Sequence, residues 1–277
     1  MKYGFVFPGG TALEQIELAE AADSHGWDGV FVWEAAYGVD AWSLLTAMAM
    51  RTTRVKLGTM LTPLPWRRPW KLASQVLTLD EVSGGRAILT VGLGAVDDAL
   101  GTTDEVTDRR TRAELLDEGI DLIAGLWEGR LAYEGTHHRV DLTAREQLFP
   151  LPRPVSDPRP PIWVVGAWPR DRSMQRVLRC DGLVPNVFGE NGIRTATPAD
   201  LADMRAWLVE HGAPQVDIVM EGDTPADDAA GAADTVARWA DAGATWWLES
   251  RWVLPEGETR DAVEVVRERL VAGPPRR

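Results

Sequence analysis

The sequence predicts a (β/α)8 TIM barrel, on three observations. Eight short apolar runs alternate with helical patterns along nearly the whole chain. The runs lack period-two alternation, as strands covered on both faces should. The length, 277 residues, suits the roughly 250 that one such barrel takes. The runs are Tyr3–Phe7, Gly29–Trp33, Val55–Leu61, Ala87–Leu93, Ile162–Val165, Leu183–Val187, Val216–Met220 and Thr245–Leu248. Repeated strand–helix alternation implies parallel strands joined by right-handed crossovers.

The helical patterns cover Thr11–His25, Ala41–Met50, Trp70–Val82, Arg112–Trp127, Ser173–Arg179, Pro198–Glu210, Ala229–Ala242 and Thr259–Val271. Gly26 stands where a helix would end, and Thr197-Pro198 pairs an N-cap residue with a proline at the first helical position. Strand starts recur about every 25 residues except between Ala87 and Ile162, which lie 75 apart (162 − 87). The excess, about 129–160, holds His137, His138 and five prolines. It reads as an insertion between helix four and strand five, too long for a plain connection. No composition shift marks a boundary, so one domain over 1–277 is the expectation.

Composition excludes several function classes. The net charge is −13, and the densest basic clusters are the pairs Arg67–Arg68 and Arg276–Arg277. A nucleic-acid binder needs a basic stripe to displace counterions, and these pairs supply none. Cys180 is the single cysteine, so no disulfide forms within the chain and no multi-cysteine metal site exists. It follows apolar residues near a helix end and reads as a buried thiol. No window approaches the ~18 apolar residues of a membrane span, and no signal sequence is apparent. A cytoplasmic protein without metal is expected.

Three stretches carry a resemblance. The first is Arg68-Pro-Trp-Lys-Leu-Ala-Ser-Gln-Val-Leu-Thr-Leu-Asp-Glu-Val-Ser-Gly-Gly-Arg86. The second joins Thr90-Val-Gly-Leu-Gly94 to Arg109–Arg112, Leu115–Ile120 and Leu126-Trp127. The third is Pro160-Pro-Ile-Trp-Val-Val-Gly-Ala167 followed by Cys180-Asp-Gly-Leu-Val-Pro-Asn186. In this order and spacing they resemble the bacterial luciferase-like monooxygenase superfamily of flavin- or coenzyme F420-dependent oxidoreductases. The resemblance implies reduced FMN or coenzyme F420 at the C-terminal mouth of the barrel. It also implies a small, apolar or aromatic substrate, a separate flavin reductase for the flavin case, and a homodimer or homotetramer.

Residue by residue, Thr59 and Met60 lie in a segment similar to the one placed against the isoalloxazine, where some members have a non-proline cis peptide. Gly92, Leu93 and Gly94 match the strand-four glycines. Gly166, Ala167, Trp168, Arg170 and Ser173 match the phosphate seat before the fifth helix, where helix N–H groups favour an anion. Ala167 replaces the second family glycine. Each of these has a plainer reading: Gly-x-Gly suits any tight turn, and Arg170 and Arg172 suit solvent.

At the end of strand two, Glu34 keeps an acidic residue, but Ala35 stands where many members have His. Glu34 is the candidate catalytic group, either a proton acceptor or a partner of the cofactor ring. A carboxylate that caps the next helix or pairs with an arginine fits equally well. Trp33, Trp66, Trp168, Asn186 and Trp247 are expected to line a substrate pocket with Glu249 and Arg251, and Trp252 lies nearby. Two other functions compete: a non-catalytic barrel acting as an assembly partner, and a cofactor-free hydrolase using Glu34 and Glu249.

Overall fold

The computed structural model describes residues 1–95, 103–251 and 261–276. Eight parallel strands carry the fold: β1 (Lys2–Val6), β2 (Gly29–Val32), β3 (Lys56–Thr59), β4 (Ala87–Gly92), β5 (Ile162–Trp168), β6 (Gly182–Gly189), β7 (Asp217–Gly222) and β8 (Trp246–Ser250). Each pairs with the next, and β8 returns to β1 with Trp246 opposite Lys2. The barrel is closed. A helix follows each strand: α1 (Ala12–Ser24), α2 (Ala41–Ala49), α3 (Pro69–Ser83), α4 (Arg109–Trp127), α5 (Asp171–Val177), α6 (Pro198–Glu210), α7 (Ala229–Asp241) and α8 (Ala262–Val271). All eight apolar runs are strands. Trp252, Arg277 and the expected start of the last helix at Thr259 lie outside the described residues.

Local chemistry sets the helix ends. Thr11 and Glu14 form a capping box, in which the Thr11 backbone N–H donates to Glu14 Oε2 at 2.8 Å. Thr197 and Asp200 repeat the device at α6, with Pro198 in the first turn. Both satisfy N–H groups that a helix start leaves open. At the other end of α1, Gly26 takes φ +86°, the left-handed conformation that stops the helix.

The interior of the barrel is a small aromatic-centred core. Phe31 stacks on Trp163 with ring centres 5.4 Å apart, and Trp163 meets Trp246 edge-on at 5.2 Å. Val6, Met60, Ile88, Val184, Val219 and Leu248 complete this layer. Side chains alternate across a strand. The inner set therefore fixes which residues face inward higher up, near the mouth: Thr90 and Gly92 on β4, Val165 and Ala167 on β5, Asn186 on β6, and Ser250 on β8. The opposite set (Leu57, Leu89, Val164, Leu183, Trp247) packs on the helices in the larger outer core.

The insertion is a folded appendage. Ala132–Glu134 and Arg139–Asp141 pair as an antiparallel hairpin, and a short helix spans Thr143–Leu148. Glu118 on α4 accepts the backbone N–H groups of Thr136, His137 and His138 at the hairpin turn. Asp80 on α3 accepts from Val155 N, Ser156 N and Ser156 Oγ at 2.6–2.9 Å. Two carboxylates thus clamp the insertion onto neighbouring helices. His137 bonds Glu114, and His138 is buried edge-on against Trp70, so both serve this packing.

Candidate active site

Closure of the barrel brings the carboxyl ends of all eight strands to one mouth. The β3 end carries a cis peptide between Met60 and Leu61, in the segment where the resemblance places one. Opposite it, a Cβ on Gly92 would lie 3.0 Å from Leu61 Cδ2 and 3.3 Å from Val165 Cγ2. Gly92 therefore lets Leu61 and Val165 come closer to the β4 backbone than any side chain there would allow. Gly94 has φ +78°, and a Cβ there would press on Trp66 and Pro63. Trp66 is thereby brought against the β4 loop. Trp33 is 42% exposed and faces the loop after β1, with its Nε1 3.8 Å from where a Gly9 Cβ would be. Ala167 and Asn186 stand opposite each other in the β5–β6 register on the inner face.

Several expected site residues are placed elsewhere, and strand parity is the cause. Trp168 follows inward-facing Ala167 and so turns out, against the outer core. Gly166 also turns outward, where a Cβ would run into Leu183 and the α5 residues Val177 and Met174. Its small size serves helix packing, not ring approach. Trp247 lies in the outer core and donates its Nε1–H to Glu249 Oε2 at 3.1 Å. Glu249 is 2% exposed behind the barrel wall, held by Thr224 and, at 3.6 Å, by Arg269. Arg251 pairs with Asp223 at 3.6 Å. The structure does not bring Trp247 or Glu249 into the mouth, so a hydrolase built on Glu34 and Glu249 has no shared cleft.

Glu34 lies in the wall between β2, β3 and α2. Its Oε1 is 3.2 Å from Arg67 Nε, and Thr62 Oγ1 donates to its Oε2 at 2.7 Å. Burial pushes its pKa up, while Arg67, Thr62 and the Trp42 indole pull it back without restoring the ordinary value. Thr59 and Thr62 are fully buried; Thr62 Oγ1 lies 3.0 Å from Thr59 Oγ1, and Thr59 reaches the Thr90 carbonyl at 3.2 Å. Thr59 contacts Thr62 and the β4 backbone here, and its neighbour Met60 faces the inner core.

An anion seat can form where α4 and α5 begin. Arg176 on α5 grips Asp117 on α4 through two bonds, at 2.8 and 3.0 Å. The pair ties the last turn of α5 to the middle of α4. The N-cap of α5, Arg170, makes no side-chain capping bond; its guanidinium stacks 4.0 Å over Phe188. Ser173 Oγ accepts the Ala167 N–H at 2.9 Å, tying β5 to the helix start. On α4, Arg112 is 7% exposed and donates from Nη1 to the carbonyls of Leu93 and Gly94. Its Nε has no partner among the described residues. A buried cationic donor left open beside the β4 loop suits an anionic group.

These features suit a flat ring with a phosphate-bearing tail: a glycine at the β4 end and, beside it, a buried arginine donor without a partner among the described residues. Arg112 and the inward-facing Thr90 are residues that sequence reasoning did not assign. For Thr90 the signal was its position two before Gly92 on the same face. For Arg112 no local signal distinguishes it from Arg109 and Arg110. Among the described residues, no group of three or more His, Cys, Asp or Glu is placed to hold a metal, and no helix is long and apolar enough to cross a membrane.

A closed eight-stranded parallel barrel with a helix after each strand defines a TIM-barrel protein. Within that class the chain belongs to the luciferase-like monooxygenase family, whose model matches residues 8–264. It is 33% identical over 180 residues to an inferred coenzyme F420-dependent oxidoreductase of Mycobacterium tuberculosis, covering 61% of this chain and 50% of that protein. The match thus spans half the length of that curated relative. Among solved structures it is similar to an F420-dependent secondary alcohol dehydrogenase bound to an F420–acetone adduct, with TM-score 0.76, 16% identity and 98% of each chain covered. It is also similar to the oxygenating constituent of 3,6-diketocamphane monooxygenase of Pseudomonas putida in complex with FMN, with TM-score 0.64, 21% identity, and 85% and 71% covered. Both likenesses show the fold.

Proposed function

We propose that this chain is an oxidoreductase that binds reduced FMN or coenzyme F420 in the barrel mouth and acts on a small apolar or aromatic molecule. The observation that carries this is Arg112, buried against the β4 loop with a side-chain donor that no described residue fills. The F420- and FMN-linked proteins named above are consistent with either cofactor.

The bound group would supply the redox chemistry; the chain positions it and excludes water. Gly92 would let the ring approach the β4 backbone. Arg112 and the first turn of α5 would hold the anionic tail. Trp33 and Trp66 supply apolar walls, and Asn186 offers a side-chain amide to orient a polar atom. Glu34 would be the group of this wall that holds or releases a proton. As a flavin enzyme it would draw on a separate reductase.

Visible absorbance titrations of the purified chain with FMN and with F420 test the reading. Binding of one of them at micromolar level, about −8 kcal/mol, is the expected result. Failure of both to bind below millimolar concentration overturns it.

A further inference from the structure

We propose that Thr59, acting through Thr62, is a positioning residue for Glu34, in a hydroxyl relay that runs from that carboxyl to the backbone of β4. Four oxygens lie in series: Glu34 Oε2, Thr62 Oγ1, Thr59 Oγ1 and the Thr90 carbonyl. They are separated by 2.7, 3.0 and 3.2 Å. Three gaps require three protons, and the two hydroxyls own two. Both threonines are fully buried, so neither hydroxyl can turn to water.

The proton count separates the two charge states. With Glu34 ionised, Thr62 donates to the carboxylate and Thr59 donates either to Thr62 or to the Thr90 carbonyl, so one gap holds no proton. With one proton added to Glu34 from solvent, Glu34 donates to Thr62, Thr62 to Thr59, and Thr59 to the Thr90 carbonyl. Only the protonated state fills all three gaps. The charge state of the carboxyl thus sets the direction of the Thr62 hydroxyl.

Two charged groups also face Glu34 from neighbouring elements. Arg67, in the segment after β3, favours the carboxylate, and Asp40, the N-cap of α2, opposes it. Burial also favours the protonated form. Thr59 does not touch Glu34 in this chain of contacts, which makes it the informative site. In the protonated arrangement the Thr62 proton has only Thr59 Oγ1 to accept it. Removing that oxygen strands a buried donor, which destabilises protonated Glu34 and leaves the ionised form its bond from Thr62.

The use of this proton in a reaction rests on the oxidoreductase reading, but the relay is measurable in the ligand-free chain. Glutamate side-chain carboxyls labelled with carbon-13 would be titrated by NMR, and Glu34→Gln identifies the Glu34 resonance by its loss. The expected midpoint lies above that of an ordinary glutamate. Thr59→Val should lower it, on the order of tenfold in proton affinity, and Thr59→Ser should restore it. Thr59→Ala gives the same reading if the valine variant does not fold. A wild-type midpoint in the ordinary range overturns the relay, as does a Thr59→Val midpoint that stays put or rises. An ordinary midpoint in a chain that binds FMN or F420 removes the relay alone. A raised, Thr59-dependent midpoint in a chain that binds neither removes the oxidoreductase reading alone.

Discussion

Arg176 holds Asp117 through two parallel bonds, at 2.8 and 3.0 Å, and so ties the last turn of α5 to the middle of α4. The Arg176 side chain is 5% exposed, whereas Arg179, which also reaches Asp117, is 40% exposed. Burial decides between them. Replacing Arg176 by Met should cost about 3 kcal/mol in denaturant unfolding, because it leaves a largely buried carboxylate held by the exposed Arg179 alone. It should also weaken binding of a phosphate-bearing cofactor several-fold by loosening α5 against α4. Replacing Arg179 by Met should cost under about 0.5 kcal/mol, as for other exposed pairs.

Gly92 offers a sharper test of the mouth. A Cβ there meets the flexible end of Leu61 at 3.0 Å, so Gly92→Ala should fold with little change in melting temperature. Its methyl group nevertheless pushes Leu61 and Val165 out over the strand-end surface assigned to the ring. Cofactor affinity in the absorbance titration should fall at least tenfold, about 1.4 kcal/mol, and Gly92→Val should abolish it. Gly166→Ala should behave in the opposite way, losing stability to a clash with α5 while any folded fraction binds normally. Equal behaviour of the two variants would contradict the assignment of faces.

Arg86 closes the stretch that carried the first part of the family resemblance, and its role is structural. Its guanidinium donates five bonds, to the carbonyls of Ser83, Val55, Ala49 and Thr52 and to Thr52 Oγ1, at 2.7–3.0 Å. All five donors are used. Arg86→Met strands four carbonyls and should cost roughly 3–5 kcal/mol, seen as a lowered denaturation midpoint. Lys, a point charge with three donors, should recover only part of that.

How much of the molecule the sequence made legible follows from these residues. The barrel was readable because strands buried on both faces appear as unbroken apolar runs, and all eight runs are strands. The same absence of alternation hid which face each residue takes. On β8, Trp246 and Leu248 face inward, so Trp247 and Glu249 turn away from the mouth where they had been expected. On β5, one position separates inward Ala167 from outward Trp168 and Gly166. The motif residues Asp80 and Arg86 were legible as family marks, yet their chemistry is clamping of loops. The open donor of Arg112 depends on a tertiary contact with Leu93 and Gly94 that no local pattern encodes.

The capping box of α6 predicts a specific acid response. The Asp200 carboxylate accepts two bonds from Arg194, at 2.6 and 2.8 Å, and bonds from the Thr197 N–H and hydroxyl. The Arg194 bond first, then Thr197, holds its pKa well below the usual carboxylate range, against a smaller upward push from burial. A carboxyl depressed in the folded state binds its proton more readily when unfolded, so the chain gains stability as pH rises through the unfolded value, near 3.9. That contribution is complete above about pH 5 and is lost progressively as pH falls below the unfolded value toward the folded one. Asp200→Asn should therefore lower the unfolding free energy at pH 7 and flatten its fall between about pH 5 and 2, while the two proteins converge at the acid end. Parallel stability–pH curves for the two proteins would show that Arg194 and Thr197 do not hold the carboxylate in this way.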